Sequence, residues 1–224
     1  MSATDVGASG IHVETGQTLA DQPGPGIRQK KERGEQLLAR LSDRPDIDIV
    51  YEDESWFSRY AMPRYRTFSP VGAPSRLPIR QPPKREKRKA VAVYGALRIN
   101  DGQILVRCAD GQPNTKKTRA FLCWLLRETQ RRGKKWLLVI WDHASWHRSL
   151  KGWVKTYNRA AGRTGKPRLM IRFLPVKSPW LNRIEPYWYH AKKEIYRIDR
   201  TPTVPELKEI IHRHFDPTKT QHFP

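Results

Sequence analysis

Residues 135–147 read KWLLVIWDHASWH: an apolar run, then an aspartate, then a short turn flanked by aromatics. Trp136 to Trp141 offers no polar position to water, so the run predicts a central strand buried on both faces. Asp142 then stands where the chain leaves the sheet. Outward from this strand, the neighbouring stretches alternate between strand and helix patterns. Residues 46–57 (DIDIVYEDESWF) set Ile47, Ile49 and Tyr51 at every second position, the period of a strand, and end in acids. Residues 90–99 (AVAVYGALRI) and 103–108 (QILVRC) are two strand-like runs joined by Asn100-Asp101-Gly102, a hairpin signal. Asn114 to Arg132 carries Phe121, Leu122, Leu125 and Leu126 on one face of a helix. Residues 147–161 read as a basic helix and 168–174 (RLMIRFL) as another strand. Residues 181–196 read as a helix with a stripe through Leu181, Ile184, Trp188, Ala191 and Ile195, and 205–215 as a last short helix. The order predicts an α/β fold whose first strands are antiparallel and whose later ones are joined by parallel crossovers.

The 224 residues suit one globular domain with tails. Residues 1–26, rich in Gly, Pro, Ser, Thr and Asp, read as a disordered tail. Residues 27–45 read as a short basic helix and linker, with Leu37, Leu38 and Leu41 on one side and a break at Asp43 and Pro45. Residues 46–215 form the domain, and 216–224 a C-terminal tail. No apolar run reaches membrane-span length and the N-terminus is unlike a signal peptide, so the chain reads as soluble and intracellular. Two cysteines, Cys108 and Cys123, exclude a disulfide framework and supply too few soft ligands for zinc. The sequence from Gly162 to Pro167 lacks the Ser or Thr of a phosphate loop and precedes a strand rather than a helix.

Charge points to the partner. Lys and Arg number 43 against 22 Asp and Glu, a formal net charge of +21. Such an excess favours a polyanion, because approaching cations release counterions from phosphates. Residues 58–89 concentrate it, with six prolines and ten basic residues against one acid, Glu86. Lys84, Arg85, Lys87, Arg88 and Lys89 are expected to contact the DNA backbone, and Arg59, Arg64, Arg66, Arg76 and Arg80 extend that strip. Contacts of this kind position a duplex without reading its sequence.

In so basic a chain, acids at the ends of buried strands need a reason. Asp53 closes the first strand, Asp142 the apolar one, and Glu185 follows the last strand. Brought together, three carboxylates repel one another and stay ionised only beside cations. Their hard oxygens select Mg²⁺ or Mn²⁺. Two such ions, about 3.5–4 Å apart, would serve the attacking and leaving oxygens of a phosphodiester. Each acid also has a plainer reading. Asp53 is one of three consecutive acids that a solvated strand end could carry. Asp142 could cap its own turn or accept a bond from Ser145. Asn182 and Glu185 have capping-box spacing. His143 and His147 would share a helix face, but no third zinc ligand accompanies them. His147 is read as a DNA or phosphate contact, with packing or capping as the alternative.

Three motifs taken in order carry a resemblance: YEDESWF at 51–57, VIWDHASWH at 139–147 and SPWLNRIEPYW at 178–188. Together they resemble the catalytic domain of bacterial insertion-sequence transposases of the mariner-like superfamily. The resemblance spans roughly residues 27–215. It implies a ribonuclease-H-like mixed sheet flanked by helices and a DDE triad of Asp53, Asp142 and Glu185 holding two Mg²⁺ or Mn²⁺ ions. It also implies cleavage and strand transfer of double-stranded DNA, at element ends and target, by a homodimer. His143 stands where Asn is common in that family, and Arg183 where Pro is frequent. Relatives begin with helix-turn-helix modules, and residues 1–26 do not read as one, so the chain is expected to be the second frame of a split transposase whose partner polypeptide carries them, a truncated copy, or a fragment. The competing expectations are a non-catalytic DNA-binding remnant and a general ribonuclease-H-like nuclease.

Overall fold

The structure, a computed structural model, describes residues 25–60, 90–175, 178–196 and 201–216. In chain order the elements are α1 (Pro25–Ser42), β1 (Ile47–Ser58), β2 (Ala90–Arg98), β3 (Ile104–Ala109), α2 (Thr115–Arg131), β4 (Trp136–Trp141), α3 (Ser145–Arg148), α4 (Lys151–Thr164), β5 (Arg168–Phe173), α5 (Glu185–Ile195) and α6 (Val204–His214). Among the described residues, five strands form one sheet in the order β3-β2-β1-β4-β5. β1, β2 and β3 pair antiparallel, while β4 pairs parallel with β1 on one side and β5 on the other. This is a mixed sheet flanked by helices, as the pattern predicts. No described helix is long and apolar enough to cross a membrane.

Strand alternation divides the core into two layers. Ile47, Ile49 and Tyr51 of β1 and Leu138 and Ile140 of β4 face Ile184, Trp188, Ala191 and Ile195 of the α5 region and Leu207 and Ile211 of α6. Val50 of β1 and Leu137, Val139 and Trp141 of β4 face Phe121, Leu122, Leu125 and Leu126 of α2. β4 is therefore apolar throughout because both its faces are covered.

Three local expectations change. The helix expected over 147–161 is two helices, because the chain turns at Ser149 and Leu150 to bury both His147 and Leu150. The helix expected over 181–196 begins only at Glu185, after a single 3-10 turn at Pro179–Leu181. Pro186 lacks an N–H and fits only the first turn, so it marks this start. The capping box is not at Asn182 and Glu185. It is at Thr203, whose hydroxyl accepts from the Glu206 N–H while Glu206 accepts from the Thr203 N–H at 2.7 Å. Asn182 instead donates its side-chain N–H to the Glu52 carbonyl at 3.3 Å, pinning the approach to α5 onto β1.

Gly95 decides how closely α5 lies on the sheet. It pairs with Asp53 across β1 and β2. A Cβ built there would meet Trp188 Cη2 at 2.3 Å, Cζ2 at 2.4 Å and Ile184 Cδ1 at 3.1 Å. Trp188 occupies the space that any other residue would fill, edge-on to Phe57 and Phe215 at ring separations of 6.0 and 5.7 Å. Gly95→Ala is expected to destabilise the fold by about 1–3 kcal/mol through overpacking. Urea unfolding would measure it, and a wild-type midpoint would show that Trp188 is not held against the strand.

Candidate active site

The pairing of β1 with β4 runs from Ile47 opposite Trp136 to Tyr51 opposite Ile140. Two residues further along each chain are Asp53 and Asp142. Asp142 follows the last residue of β4, but Asp53 does not close its strand as the sequence predicts, because β1 continues to Ser58 and Asp53 stays paired with Gly95 of β2 beyond the point where pairing with β4 stops. Asp53 continues the face of Ile49 and Tyr51 and points toward α5. Its Oδ2 accepts from Trp188 Nε1 at 3.2 Å. Glu185 lies in the first turn of the same helix, one turn before Trp188. Burial, and next the Glu185 carboxylate, push Asp53 up to about 7, with Glu54 and Asp142 adding to the rise against the Glu54 backbone N–H. The Glu185 and Asp142 charges thus both act on Asp53, the most buried of the three, but among the described residues the acids and histidines whose ligand atoms come within 4.8 Å of one another are Glu52, Glu54 and His147, and not these three. Lys192, further along α5, is pushed down by burial against the pull of Glu185 and Asp53.

Asp142 is held differently. Its Oδ1 accepts from the Ala144 N–H at 2.9 Å and lies 2.7 Å from His147 Nδ1. Burial would raise Asp142, but the His147 bond, the Ala144 N–H and the nearby imidazole charge hold it below the usual carboxylate range. Its side chain is 46% exposed. Both bonds fall on one oxygen, and among the described residues no hydrogen bond reaches Oδ2. The turn-capping reading of Asp142 is thus correct for Oδ1 and leaves Oδ2 to face outward.

The opposite face of β1 carries a second acidic centre. Glu52 and Glu54 are in phase with Val50 and point toward α2 and α3. The strand end is therefore not solvated: Glu52 is 0% exposed and the Glu54 side chain 6%. Trp141 Nε1 donates to Glu52 Oε2, and Trp146 Nε1 to Glu54 Oε1 at 2.9 Å. His147 Nε2 lies 3.4 Å from a carboxylate oxygen of each. Burial alone would lower His147, but bonds to Asp142 and Glu54 and the Glu52 charge hold it up at about 10. Burial, then the Glu54 charge, pushes Glu52 well above the ordinary carboxylate value. Ligand atoms of Glu52, Glu54 and His147 lie within 4.8 Å of one another, a spacing that a metal could bridge. Here the indole N–H groups already occupy the facing oxygens, and the imidazolium supplies the positive charge.

The DNA-contact expectations divide three ways. Lys84, Arg85, Lys87, Arg88 and Lys89 lie outside the described residues, as do Arg64, Arg66, Arg76 and Arg80. His147 must be withdrawn as a direct DNA contact, because its ring is fully buried and stacked on Trp141 at 4.5 Å. Arg59 leaves the strip as well: it is 2% exposed and donates from Nε to the Pro202 carbonyl at 2.7 Å. His143 and His147 do not form a pair, since His143 donates from Nε2 to the Leu174 carbonyl at 2.7 Å and stacks on Phe173. The roles of Glu52 and Glu54 went unseen in the sequence. Strand phase carried the signal: an acid in step with Val50 in a central strand must be buried.

A groove of about 650 Å³ opens between α1, the middle of β1 and the C-terminal ends of β4 and β5. Tyr51, His143 and Arg183 line it, each within two residues of one of the three acids, together with Arg172 and the exposed Trp180. Cationic and aromatic groups beside an acidic centre suit a nucleic-acid strand.

The family model described as DDE superfamily endonuclease matches residues 48–208, which contain all three acids. The fold is similar to that of the Mos1 transposase paired-end complex with the left transposon end, at a TM-score of 0.59 and 17% identity over 96% of this chain. It is also similar to the Mos1 mariner paired-end complex with Mn, at 0.59 and 18% over 95% of the chain, and to the Mos1 strand transfer complex, at 0.54 and 16% over 96%. The chain spans 58–59% of the length of those structures' chains. No curated protein matches the sequence significantly.

The raised Asp53 pKa has a consequence for stability. The folded state holds a proton that the unfolded chain releases near 3.8, so this contribution is full below that pH and is lost as pH rises through about 7. Metal-free protein is expected to lose stability between pH 4 and 7, and Asp53→Asn to lose less. Urea titrations across that range would read the difference, and equal slopes in the two proteins would remove the assigned burial of Asp53.

Proposed function

This chain belongs to the DDE superfamily endonucleases, and from that footing we propose that it is the catalytic part of a transposase that cleaves DNA and transfers the cut strand. Asp53, Asp142 and Glu185 are the residues we assign to hold divalent metal, as two Mg²⁺ or Mn²⁺ ions. The observation that carries this reading is the buried Asp53, whose charge is opposed first by burial and then by the carboxylates of Glu185, Glu54 and Asp142. A carboxylate held up to about 7 in this way would gain its counter-charge from a hard cation. The donors are hard carboxylate oxygens, from within β1, from the end of β4 and from the start of α5, one of them on the half-exposed Asp142.

Bound metal would supply Lewis acidity, activating the attacking oxygen and stabilising the leaving one. The chain's own groups do the rest. β1 and β4 run in parallel register up to Tyr51 and Ile140, two residues before Asp53 and Asp142, and so bring both acids to one region of the sheet. Trp188 holds one Asp53 oxygen by its indole N–H. Lys192 lies near Glu185 and Asp53, placed to meet a phosphate oxygen. Arg172 and Arg183 line the adjoining groove, where they would track the DNA backbone without reading bases. Water attack at an element end and 3′-hydroxyl attack on target DNA are both in-line displacements that one such centre can serve. Double-stranded DNA is thus the proposed partner, bound by a homodimer, with end recognition supplied by helix-turn-helix modules. A remnant that only binds DNA would have no need to keep three mutually repelling carboxylates.

Asp53→Asn, Asp142→Asn and Glu185→Gln are each expected to cut Mn²⁺-dependent DNA cleavage by about 100-fold or more, the scale of losing a preorganised electrostatic group. DNA affinity without metal is expected to stay at the wild-type level. A gel cleavage assay run beside a binding assay separates the two, and full cleavage by Asp142→Asn would overturn the mechanism.

A further inference from the structure

We propose that His147 is a positioning residue for Asp142, locking that carboxylate so that Oδ1 is turned into the protein and Oδ2 alone is offered outward. The inference rests on the reading of Asp142 as a metal ligand. His147 lies five residues beyond Asp142, and the short α3 folds it back beneath the end of β4. Its Nδ1 lies 2.7 Å from Asp142 Oδ1, the same oxygen that receives the Ala144 N–H. Two donors on one oxygen set the carboxylate plane, and the second oxygen is left for whatever approaches from outside.

The ring itself cannot turn. Trp141 stacks on it with an interplanar angle of 3° and a centroid separation of 4.5 Å, and Trp146 meets its edge at 6.0 Å and 76°. Its far nitrogen, Nε2, lies 3.4 Å from Glu52 Oε2 and from Glu54 Oε1, the residues on either side of Asp53. Each carboxylate is itself gripped by the indole of one of the two tryptophans that enclose the ring. His147 therefore spans from the second aspartate to the strand that carries the first. It touches no reacting atom, because the ring is fully buried and no substrate reaches it. A buried bridge of this kind fixes the relative position of two ligands on different strands. Backbone pairing alone does not, since the β1–β4 register ends at Tyr51 and Ile140, two residues short of both acids.

The test uses the full chain and Mn²⁺ alone, with binding followed by electron paramagnetic resonance and cleavage measured separately. His147→Ala is expected to weaken Mn²⁺ binding by about 10–100-fold, the usual effect of losing the partner of a metal ligand. The rate of cleavage falls with it, while the DNA concentration for half-maximal rate does not move. His147→Asn, whose side-chain N–H can stand where Nδ1 stands, restores most of the loss. His147→Gln, whose amide falls at the Nε2 position, does not. Wild-type Mn²⁺ affinity in His147→Ala would overturn the proposal, as would equal weakness in the Asn and Gln variants. The Asn–Gln comparison decides alone if the Ala variant does not fold. Asp142→Asn is run beside them: if it binds Mn²⁺ like the wild type, the assignment of Asp142 as a ligand is what has failed.

Discussion

A side chain absent from β2 sets the geometry of the whole acidic centre. Trp188 lies where the Cβ of any residue but glycine at position 95 would be, within 2.4 Å of that point. α5 consequently sits closer to the sheet than ordinary side-chain packing allows, and Glu185, one turn earlier, is carried in with it. Gly95 is paired with Asp53, so the indole that fills the gap also reaches the carboxylate next door. One large aromatic thus does three things: it closes the core with Phe57 and Phe215, it positions Glu185, and it orients Asp53. Rigid elements hold ligands more accurately than loops, and here the helix is anchored by the same contact that defines the site.

The cost of that arrangement is electrostatic. Asp53 is placed where burial and three other carboxylates, those of Glu185, Glu54 and Asp142, oppose its charge. Natural sites tolerate such local conflict when surrounding packing over-determines the geometry. The two faces of β1 resolve it differently. On the α2 side, Glu52 and Glu54 each accept from an indole N–H and lie 3.4 Å from the buried His147 ring, while Glu52 Oε1 is buried without a hydrogen-bond partner among the described residues. On the α5 side, Asp53 and Glu185 have no imidazolium beside them, and Lys192 is the cation whose charge acts on both. The alternation of a single strand therefore separates Glu52 and Glu54, enclosed beside His147, from Asp53, which faces α5.

Most of this fold was legible because its signals are local. The apolar run ending at Asp142, the hairpin turn at Asn100-Asp101-Gly102 and the apolar stripe of α2 each need only a short window of sequence. Asp53, Asp142 and Glu185 stand out in the sequence only as an ordered set of motifs, not from their surroundings. What was not legible depends on contacts between distant segments. Gly95 sits inside a convincing strand pattern, and nothing within ten residues announces that a tryptophan 93 positions later will lie on it. An isolated glycine in a strand does signal close approach, but not by what. Glu52 and Glu54 read as surface acids because a strand end looks solvated until the helices that cover it are in place. His147 misled for the same reason: histidine near an aspartate in a basic chain suits a phosphate contact, and only the stacking of Trp141 shows it enclosed.

The spacing of the acids follows from this architecture. Asp53 and Asp142 are 89 residues apart, the same separation as the paired residues Tyr51 and Ile140. In parallel strands a constant offset keeps every later pair adjacent, so residues between β1 and β4 add length without moving one aspartate relative to the other. Inserting a residue inside either strand would instead shift the register and turn one carboxylate to the opposite face, among the tryptophans. Asp142 and Glu185 obey a different constraint. They are 43 apart, and that span includes α3, α4, β5 and a 3-10 turn. No register ties them. Glu185 is placed by Trp188 on Gly95, by Pro186 at the helix start, and by Asn182 on the Glu52 carbonyl. The second interval is free to vary so long as the chain from Asn182 to Trp188 arrives intact. The seven residues that look like a catalytic motif in the sequence are, in the fold, mostly the means by which one glutamate is delivered.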